Sequence, residues 1–164
     1  SFCFLKDDLA TTSDLTNLTL STYSSELTIN SPINASNYKY YELIQIRVNI
    51  SGEYYIRSNS SMDTYGCIYD EVNNSPDFTD ATMCNDDYVG NQFQLNIYLE
   101  AGVSYILEFT TYSSKITGPY TVEVYGEGIA EFYLINVAQK STTSKKWNSF
   151  IMIIWLHFIF KVLG

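Results

Sequence analysis

The sequence predicts an all-β, jelly-roll-like antiparallel β-sandwich carrying a C-terminal hydrophobic tail. Three observations carry that prediction. Apolar and polar residues alternate in several runs, and a period of two puts successive side chains on opposite faces of a strand. The chain holds 15 Tyr against 3 Pro and 8 Gly, and Tyr, Thr, Val and Ile fit a pleated, half-buried surface. The runs are short and joined by Gly or Asn turns, which is the spacing of a sandwich or jelly roll.

Taken in order, the chain opens with Ser1 to Leu5 (SFCFL), too short for a signal peptide, so the start reads as a fragment or a mature end. Leu15 to Leu20 and Ser25 to Ile29 are expected as short edge strands, one or both. Ser31 to Asn37 is loop chemistry, with Pro32 fixing φ. From Glu42 the signal sharpens: Ile44, Ile46, Val48 and Ile50 share one face, and Gln45, Arg47 and Asn49 the other. Ser51-Gly52 reads as a tight hairpin turn, with Gly52 tolerating positive φ, and Tyr54 and Ile56 continue the inward face.

Tyr65 to Tyr69 is a further strand, and Asp70 to Asp87 a polar segment. Phe93, Leu95, Ile97 and Leu99 alternate again, Glu100-Ala101-Gly102 turns the chain, and Tyr105, Leu107 and Phe109 return from it. Tyr120, Val122 and Val124 make the next strand, and Glu131 to Val137 a candidate last one. The expected organisation is an N-terminal segment over 1–21, a sandwich module over 22–128, a final strand and polar spacer over 129–149, and a hydrophobic tail over 150–164.

A chain of 164 residues with 46% hydrophobic content suffices for one domain with a real core. Its formal net charge of -9 argues against nucleic acid, because phosphate binding needs Lys and Arg, and the chain has only nine. Not one lies between Arg57 and Lys115. Three Cys are too few for a zinc knuckle. Cys67 and Cys84 flank the polar segment. In an oxidising compartment a bridge between them would contribute roughly 3 kcal/mol; the alternative is two buried thiols. Cys3 is left over, with a partner elsewhere or a free thiol.

The order of motifs resembles a known family. The Gly52 turn, YYIRSNSSMDTYGCIYD, the Asn85-Asp86-Asp87 end of the acidic loop, QFQLNIYLEAGVSYILEFTTY and GPYTVEVYG are together similar to the pre-peptidase C-terminal domain and its relatives repeated in secreted animal proteins. The match runs from about Ser25 to Gly126. The resemblance implies a compact jelly-roll sandwich and a non-catalytic appendage that binds matrix polymers or supports neighbouring domains. Cys67 departs from the apolar or aromatic residue often found at that place, which favours a Cys67–Cys84 bridge peculiar to this chain.

No enzyme is expected. The only histidine, His157, lies inside the apolar tail, so no Ser-His-Asp or Cys-His arrangement can be built in the module. A carboxylate-pair hydrolase needs two carboxyls across a cleft, whereas the acids here fall mainly in a loop. That loop is the candidate metal site: Asp63, Asp70, Asp86 and Asp87 are oxygen donors of the kind Ca²⁺ takes, although their spacing matches no EF-hand and they also serve as turn caps or solvated charge.

Asn17, Asn34, Asn49, Asn59 and Asn73 head N-x-[ST] sequons for glycosylation in a secretory pathway. Tyr98, Tyr112 and Tyr125 fall on outward or turn positions and are ligand-contact candidates, since an exposed ring stacks on a sugar or anchors a protein. The tail Phe150 to Phe160 (FIMIIWLHFIF) follows small residues at Ser141 to Ser144 and a polar spacer, the order of a lipid-anchor signal with attachment near Ser141. A short transmembrane helix with Leu163 as its limit is the rival, about 21 Å long against a hydrocarbon core of about 30 Å; a packed segment is the third choice.

The function expected is an extracellular, cell-surface binding or adhesion module held at the membrane through 150–164, with a polysaccharide or matrix protein as partner. The alternatives are a structural unit of a secreted assembly, or the accessory domain of a hydrolase.

Overall fold

The computed structural model describes residues 17–70 and 81–136. Among the described residues nine strands run in chain order: β1 (Thr19–Leu27), β2 (Tyr41–Val48), β3 (Gly52–Ser60), β4 (Thr64–Asp70), β5 (Met83–Asn85), β6 (Gln94–Leu99), β7 (Ser104–Thr111), β8 (Gly118–Gly126) and β9 (Ala130–Ile135). Four form a sheet in the order β1-β8-β3-β6, and five form a second in the order β5-β4-β7-β2-β9. All pairings are antiparallel.

The pairings are nested. β4 pairs with β5, β3 with β6, β2 with β7 and β1 with β8, as in one long hairpin rolled into two sheets, and β9 adds itself to the outer edge of β2. This is the jelly-roll sandwich. Only β4 and β5 are consecutive within one sheet; every other connection crosses between sheets. Because neighbours are antiparallel, the connections 28–40, 61–63, 86–93 and 112–117 gather at one end, called the loop end below. The connections 49–51, 100–103 and 127–129 gather at the other.

The core lies between the sheets and follows the period-two faces. Ile44, Ile46 and Val48 from β2 meet Tyr54 and Ile56 from β3, Leu95 and Leu99 from β6, Leu107 and Phe109 from β7, and Val122 and Val124 from β8. Phe109 stacks on Tyr120 with ring centroids 3.5 Å apart, and Phe93 meets Phe109 edge-on at 5.9 Å. Such aromatic pairs add about 0.5–1.5 kcal/mol each beyond their buried area.

Four local expectations are corrected. Ser51-Gly52 does not close a hairpin, because β2 and β3 lie in different sheets; Gly52 has no left-handed φ, and a Cβ there would meet Glu127 Cγ at 2.7 Å. Ile50 lies past the end of β2 and is exposed. Parts of the two N-terminal runs belong to one nine-residue strand, β1, whose inward positions Ser21, Tyr23 and Ser25 are too polar to show an apolar alternation. The polar segment Asp70 to Asp87 contains β5. The expected last strand is present as Ala130–Ile135, and Val137 lies outside the described residues. The expected turn after β6 does use a left-handed glycine, Gly102, at φ 81°.

Tyr54 closes the end opposite the loop end. Its ring is fully buried and lies on Gly126, where a Cβ would clash with its Cδ1. Its hydroxyl donates to the carbonyl of Ile50 at 2.7 Å and accepts from the amide of Gly128 at 3.1 Å. One side chain thus ties the β2–β3 connection to the β8–β9 connection.

Cys67 and Cys84 are register partners on β4 and β5 and form a disulfide, with Cα atoms 4.1 Å apart and a sequence separation of 17. A three-residue edge strand has little other support. Cys84→Ser is therefore expected to lower the unfolding free energy by roughly 2–4 kcal/mol in urea titration; an unchanged midpoint would show that the cross-link adds nothing. Tyr54→Phe leaves the Ile50 carbonyl and Gly128 amide unmatched and is expected to cost roughly 1–3 kcal/mol by the same measurement. A smaller loss would mean that the two connections hold without it.

Candidate functional site

The outward positions of β8, β3 and β6 compose one face. Alternation sends Glu123 and Tyr125 outward from β8, Tyr55, Arg57 and Asn59 from β3, and Asn96 and Tyr98 from β6, while their neighbours enter the core. The register aligns them in rows: Tyr125, Tyr55 and Asn96 in one, Glu123, Arg57 and Gln94 in the next. Tyr98 lies opposite Glu53, which puts its Cα about 12 Å from that of Tyr125, two strands and two residues away.

The centre of the face is a neutralised charge pair. Arg57 Nε donates to Glu123 Oε2 at 2.8 Å, Arg57 Nη2 donates to the Tyr125 hydroxyl at 2.7 Å, and that hydroxyl donates to Glu123 Oε2 at 3.0 Å. The guanidinium lies 4.7 Å from the Tyr125 ring centre. Burial pushes the Glu123 carboxyl up, but the hydrogen bonds from Arg57 and Tyr125 and the charge of Arg57 outweigh it and hold the group below its ordinary value. Gln94 Nε2 donates to Asn96 Oδ1 at 2.8 Å, and among the described residues the buried Gln94 Oε1 has no hydrogen-bond partner. Arg57 covers one side of Tyr125, so the open ring of this face is Tyr98, 54% exposed.

The other candidates lie elsewhere. Tyr112 is exposed at the loop end, where Lys39 Nζ lies 5.5 Å from its ring and 5.4 Å from that of Tyr65. Asp63, Asp86 and Asp87 are also at the loop end. Burial, then Asp87 and Asp86, raise the Asp63 carboxyl, with Lys39 opposing them, and Asp63 Oδ1 is buried without a partner among the described residues. Asp70 does not join them: it is at the far end of β4, about 23 Å from Asp63 by strand rise. Among the described residues no group of three or more His, Cys, Asp or Glu is arranged to hold a metal ion.

Of the sequons, Asn17, Asn49 and Asn59 are exposed and Asn34 is half-buried. Asn34 Oδ1 accepts from the Ser36 amide, and Asn49 Oδ1 from the Ile129 amide. Asn59 lies on the tyrosine face itself, its Nδ2 donating to Glu123 Oε1 at 3.4 Å. Asn73, Ser141, Cys3, His157 and the tail 150–164 lie outside the described residues. Sequence reasoning missed Tyr55 and Arg57, although the alternation that sent Tyr54 and Ile56 inward already sent both outward.

No protein-family model and no curated protein matches the chain. Among solved structures, the chain is similar to the crystal structure of the pre-peptidase C-terminal domain of a collagenase from Bacillus anthracis. The identity is 16%, over 63% of this chain and 87% of that one, with a TM-score of 0.44.

The lowered Glu123 carboxyl has a defined pH consequence. Its contribution to stability is complete above its ordinary value near 4.5 and is lost as pH falls through the lowered one. A carbon NMR titration should find Glu123 titrating below that ordinary value in the native chain. In Arg57→Ala, burial is left without its main counterweight and the titration should move upward; an unmoved midpoint would remove Arg57 from this role.

Proposed function

We propose that the chain is a non-catalytic extracellular binding module that takes an uncharged polysaccharide on the outer face of β8, β3 and β6, and that residues 150–164 hold it at a membrane. The observation carrying this reading is the face itself: Tyr125 and Tyr55 side by side in one row with Asn96, Tyr98 two residues further along β6, and the cation Arg57 matched to Glu123. Aromatic rings present apolar faces on which sugar rings stack, and amides beside them orient hydroxyls. An uncharged polymer is favoured because Glu123 has already consumed the charge of Arg57, and the chain's net charge of -9 repels polyanions.

The extracellular part of the reading draws support from the Cys67–Cys84 disulfide, since such bonds persist in oxidising compartments. The jelly-roll architecture is also the one that the motif resemblance implies. The membrane part draws on the apolar run Phe150 to Phe160 following Lys145 and Lys146, taken as the short membrane helix.

Tyr98→Ala tests the site, because so exposed a ring contributes little to folding. Retention on a panel of neutral polysaccharides in affinity electrophoresis should weaken about tenfold or more, equivalent to roughly 1.4 kcal/mol, with the melting temperature unchanged. Equal retention of both proteins on every polymer would reject the face. A glycan on Asn59 would cover Arg57 and Glu123, so protein glycosylated there should bind more weakly than Asn59→Gln made in the same host.

A further inference from the structure

The loop end carries a second surface of different character. Of thirteen large apolar side chains exposed among the described residues, six belong to three of its loops: Ile29, Ile33 and Tyr38, then Val89, then Tyr112 and Ile116. Ile29 and Val89, 78% and 68% exposed, are the most exposed of all thirteen. The loops that present them are braced. Lys115 donates its amide to the Tyr38 carbonyl, Tyr112 to that of Asp63, and Thr64 to that of Asn91, each at 3.0 Å. Each of the same three loops holds one non-glycine residue in the left-handed region, Tyr38, Asn91 and Lys115 at φ 56°, 65° and 60°, a conformation that costs energy and persists only where the surroundings enforce it.

The charges at this end suit an interface between water and lipid. Both lysines of the described residues, Lys39 and Lys115, are here, each over a tyrosine ring. Tyrosine and lysine are the side chains that place an apolar body in a bilayer boundary and a polar tip in water. β9 runs toward this end, so the chain leaves the sandwich here at Asn136, and the apolar run beginning at Phe150 follows in the sequence.

We infer that the loop end faces the bilayer and seats Ile29, Val89, Tyr38 and Tyr112 in its interface; this rests on the proposal that 150–164 is held in that membrane. The surface is zwitterionic, because Asp63, Asp86 and Asp87 share this end and an anionic leaflet would repel them. The orientation is not imposed by the tether, since residues 137–149 extended could reach about 45 Å. It also turns Tyr98, near the opposite end of β6, away from the lipid and toward the surroundings.

The test uses the full chain, isolated from membranes of a eukaryotic secretory host and reconstituted in phosphatidylcholine nanodiscs, with Cys3→Ser and a nitroxide at Ile29→Cys, Val89→Cys or Ile129→Cys. Ile129 is exposed at the opposite end and serves as the aqueous control. The labels at 29 and 89 should be several-fold more accessible to oxygen, relative to an aqueous nickel chelate, than the label at 129. Membrane-bound protein with all three labels equally aqueous overturns this inference and leaves the anchoring reading standing. Protein that never enters the membrane fraction overturns both.

Discussion

The Tyr54 hydroxyl bridge is the constraint on which the arrangement of the two sheets depends. A sandwich whose connections nearly all pass from sheet to sheet can slide or splay unless the crossings are fixed to one another. Tyr54 belongs to one sheet, yet its hydroxyl bonds the carbonyl of Ile50 where the chain arrives from β2 and the amide of Gly128 where it departs for β9. It needs Gly126 beneath its ring, and it needs both connections short. With that end fixed, the inward faces of β2, β3 and β8 meet in one register. The β3–β8 register puts Arg57 opposite Glu123, where it reaches Glu123 and Tyr125 together.

Two part-buried polar contacts take part in the same alignment. The Tyr120 hydroxyl, inside the core, donates to Glu42 Oε2 at 2.6 Å, and Ser25 donates to Glu42 Oε1 at 3.2 Å. They join β8 and β1 of one sheet to β2 of the other. Burial, then the hydrogen bond and charge of Glu42, push the Tyr120 phenol well up, so it remains a neutral donor. A buried polar group whose partners are fixed specifies one packing where apolar contacts alone tolerate several.

The strands were legible where one face is apolar and the other polar, as in β2, β6, β7 and β8, because the period of two is then written directly in residue type. The alternation failed at β1, where Ser21 and Ser25 face inward beside Tyr23, and at β5, where three residues give no period at all. Which strand pairs with which could not be read: Ser51-Gly52 has the chemistry of a hairpin turn, yet the chain passes there to the other sheet because the partner of β2 is β7, more than fifty residues on. The candidate site was half legible. Tyr98 and Tyr125 were visible as outward tyrosines. Their convergence with Tyr55 and Arg57 depends on the order β8-β3-β6, which residue type does not encode. The loop end escaped notice for the same reason, since its apolar tips come from loops far apart in sequence.

The nested pairing has a kinetic consequence. As the chain emerges during synthesis, β1, β2, β3 and β4 come out with no partner among themselves, because each waits for a strand that follows β4. The first pair that can close is β4 with β5, the next β3 with β6, and β1 must wait for β8. Contacts so distant in sequence fold slowly, and apolar strands stay unpaired meanwhile. The Cys67–Cys84 bond closes the innermost of these pairs. Oxidation is therefore expected to act as a latch on the first turn of the roll, and pulse-labelled hydrogen exchange that protected β1 and β8 before β4 and β5 would contradict that order.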